Sequence, residues 1–217
     1  MPSRIQEIMK DENMELLRLE TKPFGTNAYI VICRETGESV LIDAPGSAEA
    51  IKERLKDTTV RYILMTHGHM DHITDLEKLH RDLGATLAVH KDDAEKLPVK
   101  PDQFLSENEK INCGKLELEV IHAPGHTPGS LCFKLDGYLI SGDTIFPGGP
   151  GKTASPSAFK QIVASIEEKI MPLTDDTIIL PGHGEKTNLK NERELFNAFK
   201  KSRQNFELSG DVTWLGT

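Results

Sequence analysis

Residues 66–72 read THGHMDH, which places His67, His69, Asp71 and His72 in one short run. Three further motifs each add one group of the same kind: His126 in APGHTPGS, Asp143 in ISGDTIF and His183 in LPGHGE. Neutral imidazoles and carboxylates are the donors that borderline divalent cations accept, and these seven groups suffice for two ions sharing one carboxylate. A lone histidine carries no such message. Seven polar groups packed together with no cation between them would bury a desolvation cost that nothing offsets.

The motifs need a scaffold that delivers them to one place. Each follows an extended apolar stretch (VRYILMT, KLELEVIHAPG, YLIS and TIILP), so one edge of a sheet can present them all. MELLRLE, NAYIVICRE and SVLIDAP read as further strands, with Thr36-Gly37 as a hairpin turn, and LCFKL-DG-YLIS as another hairpin. Ser47 is placed to cap a helix through IKERLK. Leu76, Leu79 and Leu83 predict one helix from about Ile73 to Leu83, with Gly84 as its stop. Ser155-Pro156 opens another, whose apolar face is Phe159, Ile162, Val163, Ile166 and Ile170, and a last helix is expected over Leu189–Lys200. Residues 1–12 are expected to be a helical or frayed segment, and the tail through Trp214 to pack on the surface. Hairpins outnumber strand–helix–strand units, which favours two mixed sheets with outer helices in one α/β domain over 1–217.

Composition narrows the function. With 217 residues, 37% apolar and 28% charged, the chain can bury a continuous core. Its 26 basic against 34 acidic residues leave a net charge of −8, which argues against a nucleic-acid groove. The first fifteen residues lack an apolar signal region and no stretch approaches a membrane span, so a cytoplasmic protein is expected. Cys33, Cys113 and Cys132 are odd in number and widely spaced, which suits core thiols in a reducing compartment. Oligomeric state is not specified.

Taken together, THGHMDH, GHTPGS, SGDTIF and PGHGE resemble the metallo-β-lactamase superfamily, particularly its glyoxalase II-like (hydroxyacylglutathione hydrolase-like) enzymes, over about Asn13 to Leu195. The resemblance implies a four-layer αββα sandwich of two mixed sheets with a dinuclear site at their exposed edges. Carried onto this chain, it implies that His67, His69 and His126 hold one ion, that Asp71, His72 and His183 hold the other, and that Asp143 bridges them. Asp43 in VLIDAPG resembles the family's supporting aspartate, which fixes the ligands from behind. The implied cofactors are two divalent ions, zinc by default, with iron or manganese permitted by the same donors. The implied reaction is hydrolysis by a metal-bridging hydroxide, with Asp71 also orienting the water.

The same resemblance points to a small thioester of the hydroxyacylglutathione type. Lys152 in GDTIFPGGPGKT matches a basic residue that contacts the glutathione carboxylate, and Phe146 is a candidate pocket wall. Ala154 stands where many glutathione-binding members carry a phenol, and the residues after Asn188 are too few for their helical second domain. A lactone or other carboxylic ester is therefore an alternative substrate, and persulfide oxidation at a single iron a further alternative. GGPGKT lacks the first glycine of a phosphate loop, since Phe146 occupies that position. His80 reads as a surface or boundary residue, whereas His90 and His122, at strand ends, are weaker cleft candidates, as is Met70; Phe24 reads as filling or bordering the core.

Overall fold

The computed structural model describes residues 4–202 and 207–215. The first sheet takes seven strands in chain order: β1 (Arg4–Lys10), β2 (Met14–Glu20), β3 (Asn27–Cys33), β4 (Glu38–Ile42), β5 (Thr59–Leu64), β6 (Thr86–His90) and β7 (Gln103–Leu105). Its first half is antiparallel and the pairs from β4 to β7 are parallel. The second sheet takes β8 (Lys110–Cys113), β9 (Leu116–His122), β10 (Leu131–Leu135) and β11 (Tyr138–Gly142). A short ribbon, β12 (Ile145–Phe146) with β13 (Gly149–Pro150), follows, before β14 (Ile178–Pro181) and β15 (Thr187–Asn188) complete the second sheet beside β11.

The strands are apolar on both faces because both faces are covered. Leu16 packs with Tyr29, Val31 and Ile42 against Val120, Phe133, Ile140 and Leu180 of the opposite sheet. Its neighbour Leu17 points the other way, joining Ile30, Leu41 and Ile63 beneath α1 (Ala48–Leu55). That alternation is the period of two expected of a strand. On the far side of the second sheet, Cys132, Leu139 and Ile179 pack against Phe159 and Phe199 from outer helices. The two sheets and outer helices make the four layers predicted, and the three cysteines are free and buried in them.

Four local expectations change. Residues 4–10 form strand β1, paired antiparallel to β2, rather than a helix or frayed end. The reason is Asp11, whose Oδ1 accepts the amides of Asn13 and Met14 (both 2.8 Å) and reverses the chain. The helix predicted from Ile73 to Leu83 is two pieces, α2 (Met70–Ile73) and α3 (Leu76–Leu83). It breaks where the Asp75 amide donates to Ala44 O (3.0 Å) instead of back along the helix. The side chain of Asp75 also caps α1 by accepting the Ala48 amide (2.7 Å), a role that Ser47, at φ 82°, does not perform. Trp214 is not a surface residue: it is buried against Phe196 and Phe199 of α5 (Leu189–Ser202). The Ser155 cap of α4 (Pro156–Ser165), which accepts the Ala158 amide (3.2 Å), and the Asp136-Gly137 hairpin stand as read.

Candidate metal centre

The seven candidate ligands emerge from strand ends on one edge of the sandwich. β5 delivers His67 to His72, with α2 starting at Met70 so that Asp71 and His72 occupy its first turn. β9 leads to His126, β11 ends immediately before Asp143, and β14 ends two residues before His183. The sheets are stitched together here: the Leu131 amide donates to Thr66 O (2.8 Å), the Asn27 amide donates to Gly182 O (2.7 Å), and Thr26 bridges to His183. Buried Arg18 donates to Gly184 O (2.6 Å), while Tyr29 Oη donates to Pro181 O (2.7 Å), so the first sheet also sets the His183 loop.

Two triads result. His126 Nε2 lies 2.9 Å from His69 Nδ1 and 3.3 Å from His67 Nε2. On the other side, Asp71 Oδ2 lies 3.0 Å from His183 Nε2 and 3.7 Å from His72 Nε2. Asp143 stands between them, with Oδ2 3.5 Å from His126 Nε2 and 3.7 Å from His183 Nε2. Within each triad the donor atoms lie within 4.8 Å of one another, close enough to converge on a single cation.

The rings are turned by their outer nitrogens. His72 Nδ1 donates to Asp43 Oδ2 (2.8 Å), His126 Nδ1 to Lys152 O (2.7 Å), and His67 Nδ1 to Thr66 Oγ1 (3.0 Å). Each bond leaves Nε2 facing the cleft as a lone-pair donor. Asp43 also accepts the Thr66 amide (2.8 Å) and hydroxyl (2.7 Å) from a left-handed backbone at φ 60°, a strained conformation that suits its supporting place. Gly182 is required by space, because a Cβ there would collide with Asp143 Oδ1 and lie 2.7 Å from His72 Cε1.

The electrostatics divide the rings. Burial, reinforced by the neighbouring His72, His126 and His69, holds His67 well below the ordinary imidazole range; burial followed by His126 lowers His69. Burial opposes charge on His72 too, but Asp43 and Asp143 outweigh it and push that ring up to about 10. His183 moves upward as well, since Asp71 and Asp143 overcome its burial. The His183 contact holds Asp71 far below the usual carboxylate range against burial. Burial would raise Asp143, yet His72, His126 and His183 keep it low. The proton on His72 is therefore what a cation would displace.

Two orphaned atoms fit a metal ion. His72 Nε2 and Asp143 Oδ1 are both buried, 3.4 Å apart, and neither has a hydrogen-bond partner. Buried polar atoms are ordinarily satisfied, and a cation between these two would satisfy both. The nitrogen and oxygen donor set suits zinc, iron or manganese.

Other predicted residues are dispersed. Lys152 reaches the site through its carbonyl, whereas its exposed Nζ lies 3.8 Å from Asp211 Oδ2. The Phe146 ring centroid is 6.4 Å from that of His183, at the rim of the site. Met70 and Phe24 are exposed, and His80 of α3 pairs with Asp102 (3.0 Å), which lies just before β7. His90 and His122 stack on each other with centroids 4.0 Å apart and do not join either triad. No motif marks Thr26, which donates to Asp71 Oδ2 (3.0 Å), or Asp93, which accepts the Gly68 amide (2.9 Å); only Thr66, beside the histidine run, carries a sequence signal.

Residues 21–183 match the metallo-β-lactamase superfamily. The hydroxyacylglutathione hydrolase GloC of Haemophilus influenzae is 32% identical over 188 residues, covering 76% of this chain and 88% of that protein. Among solved structures, the BLEG-1 B3 metallo-β-lactamase superposes with a TM-score of 0.77 at 28% identity, covering 82% of this chain and 96% of that one. TTHA1623 in a di-iron-bound form does so with a TM-score of 0.69 at 28% identity, covering 81% and 96%. The fold implies divalent metal ions and a hydrolytic enzyme, and no helix among the described residues is long and apolar enough to cross a membrane. Sandwich, motif spacing and matched span agree: this chain belongs to the metallo-β-lactamase superfamily.

Proposed function

We propose that the protein hydrolyses small thioesters of the hydroxyacylglutathione type at a dinuclear centre. His67, His69 and His126 would hold one ion and Asp71, His72 and His183 the other, with Asp143 placed to serve both. The observation that carries this reading is the position of Asp143 Oδ2, 3.5 Å from one triad at His126 and 3.7 Å from the other at His183. Two divalent cations there, with zinc as the default and iron or manganese as alternatives, supply Lewis acidity that activates water and polarises a carbonyl.

The chain's own residues do the rest. Thr66, Asp43 and the Lys152 carbonyl fix three imidazoles with Nε2 toward the cleft. Asp71, fixed by Thr26 and held far below the ordinary carboxylate range chiefly by His183, is a poor proton acceptor at neutral pH. Its role is to bind and to orient water by accepting a hydrogen bond. Phe146 borders the approach, and Lys152 contacts an anionic substrate once released from Asp211. The likeness to GloC supports the thioester class.

The test is a matched substrate series under identical metal loading: S-lactoylglutathione, smaller uncharged thioesters and lactones. Thioesters turn over fastest on this reading, with modest dependence on the glutathione portion. Strong lactone preference with negligible thioester turnover would overturn it.

A further inference from the structure

The turn at Lys91–Lys96, which follows β6, contributes no candidate ligand, yet it touches both loops of the first triad. Asp93 in this turn is fully buried. Its Oδ2 accepts the Gly68 amide (2.9 Å) and the Thr127 hydroxyl (2.7 Å), and its Oδ1 accepts Lys96 Nζ (2.8 Å). Gly68 lies between His67 and His69, and Thr127 directly follows His126. One carboxylate oxygen thus ties a loop of the first sheet to a loop of the second at the point where they bring three imidazoles together.

The surroundings are built for this contact. The Thr127 hydroxyl, having donated to Asp93, accepts from Ser130 Oγ (2.8 Å), and Ser130 Oγ in turn accepts the Thr127 amide (3.0 Å). The hydroxyl hydrogens of Thr127 and Ser130 are therefore both assigned. Space is reserved as well. A Cβ on Gly68 would lie 2.8 Å from Lys96 Cβ, and one on Gly129 would lie 2.9 Å from Asp93 Cβ and Cγ. The glycines of both histidine motifs admit the same turn. The φ of Gly68 is not in the left-handed region, and what this glycine supplies is room.

We propose that Asp93 is a positioning residue that sets the first metal site, by fixing the His67/His69 loop and the His126 loop relative to each other. The proposal rests on the dinuclear reading above. Three ligands drawn from two sheets must meet within a few tenths of an ångström of the distances a cation demands, and outer partners of this kind typically contribute 10–100-fold in metal affinity. The partly exposed ion pair with Lys96 is a weaker contributor than the two buried bonds. Asp93 makes none of its hydrogen bonds to α2, which carries Asp71 and His72, or to the His183 loop, so the second site serves as an internal control.

The experiment strips the full-length protein with a chelator and titrates Co²⁺ against a competing chelator, following ligand-field absorption and bound metal per chain. Asp93→Ala weakens one ion by about 10–100-fold, the same ion that His126→Ala removes, and leaves the other within about threefold. Asp93→Asn, whose amide oxygen can still accept both Gly68 and Thr127, recovers most of the affinity, and Lys96→Met changes little. Adding Thr127→Val to Asp93→Ala costs nothing further, since both remove the same link. Unchanged affinity for both ions in Asp93→Ala overturns the proposal, as does equal loss of both. If Asp93→Ala fails to fold, the shape-preserving Thr127→Val decides: native affinity for the first ion overturns it, and selective weakening supports it. Uptake of fewer than two ions by the unsubstituted protein instead refutes the dinuclear reading, and leaves the Asp93 effect on the His67/His69/His126 ion to be read by itself.

Discussion

His72 Nδ1 donates to Asp43 Oδ2 across 2.8 Å, in a site where both residues are almost wholly buried. The bond aims Nε2 at Asp143 and, with the two carboxylates, raises the ring to about 10 against the effect of burial. A group raised in the folded state stabilises fully below its unfolded value, near 6.5, and loses that contribution as pH rises toward the folded value. The chelator-stripped protein should accordingly lose stability from pH 7 to 9, by up to about 3 kcal/mol if His72 dominates. His183, also raised, acts in the same direction. The metal-loaded protein should lack this loss, because its ligands are already deprotonated. Urea midpoints of both forms across that range provide the check.

Asp143→Ala removes the carboxylate standing between the triads. It should lower kcat/KM by more than the roughly 10–100-fold typical of outer partners, and reduce bound metal from two ions toward one. His80→Ala, which breaks only the Asp102 contact on α3, should stay within about twofold. Comparable losses in the two purified, metal-quantified variants would show that the active site lies elsewhere.

Gly182→Ala should disable the centre without unfolding the protein, because the new methyl must displace Asp143 or His72. Gly137→Ala is the control, since a Cβ there meets nothing within 4 Å. The expected result is lost metal and lost turnover for the first, with near-native values of both for the second. Metal content and thermal melts, measured together, separate a damaged site from a damaged fold.

Lys152→Ala should raise KM for an acidic thioester by about two- to fivefold and leave kcat nearly unchanged, because an exposed cation competing with Asp211 contributes little. The carbonyl that orients His126 survives the substitution. A large fall in kcat with unaltered KM would mean that the side chain acts on the reaction itself. Steady-state kinetics on S-lactoylglutathione and on an uncharged thioester distinguish the two.

Much of this protein is written locally. Donor chemistry in four short motifs marks the candidate ligands, the period of two in MELLRLE sends Leu16 and Leu17 to different layers, and Asp136-Gly137 closes its hairpin as composition demands. These features depend on residues close in sequence, so the chain displays them directly. Residues 4–10 became a strand because the Asp11 turn folds them back onto the open edge of β2, and the helix after His72 broke because Asp75 turned to Ala44 and Ala48. Asp93 meets Gly68 and Thr127 across 25 and 34 residues of chain, with no motif to announce it. Which polar residues hold the histidines in place was decided only by tertiary structure, because a hydrogen bond between distant segments acquires its partners when the sheets stack and not before.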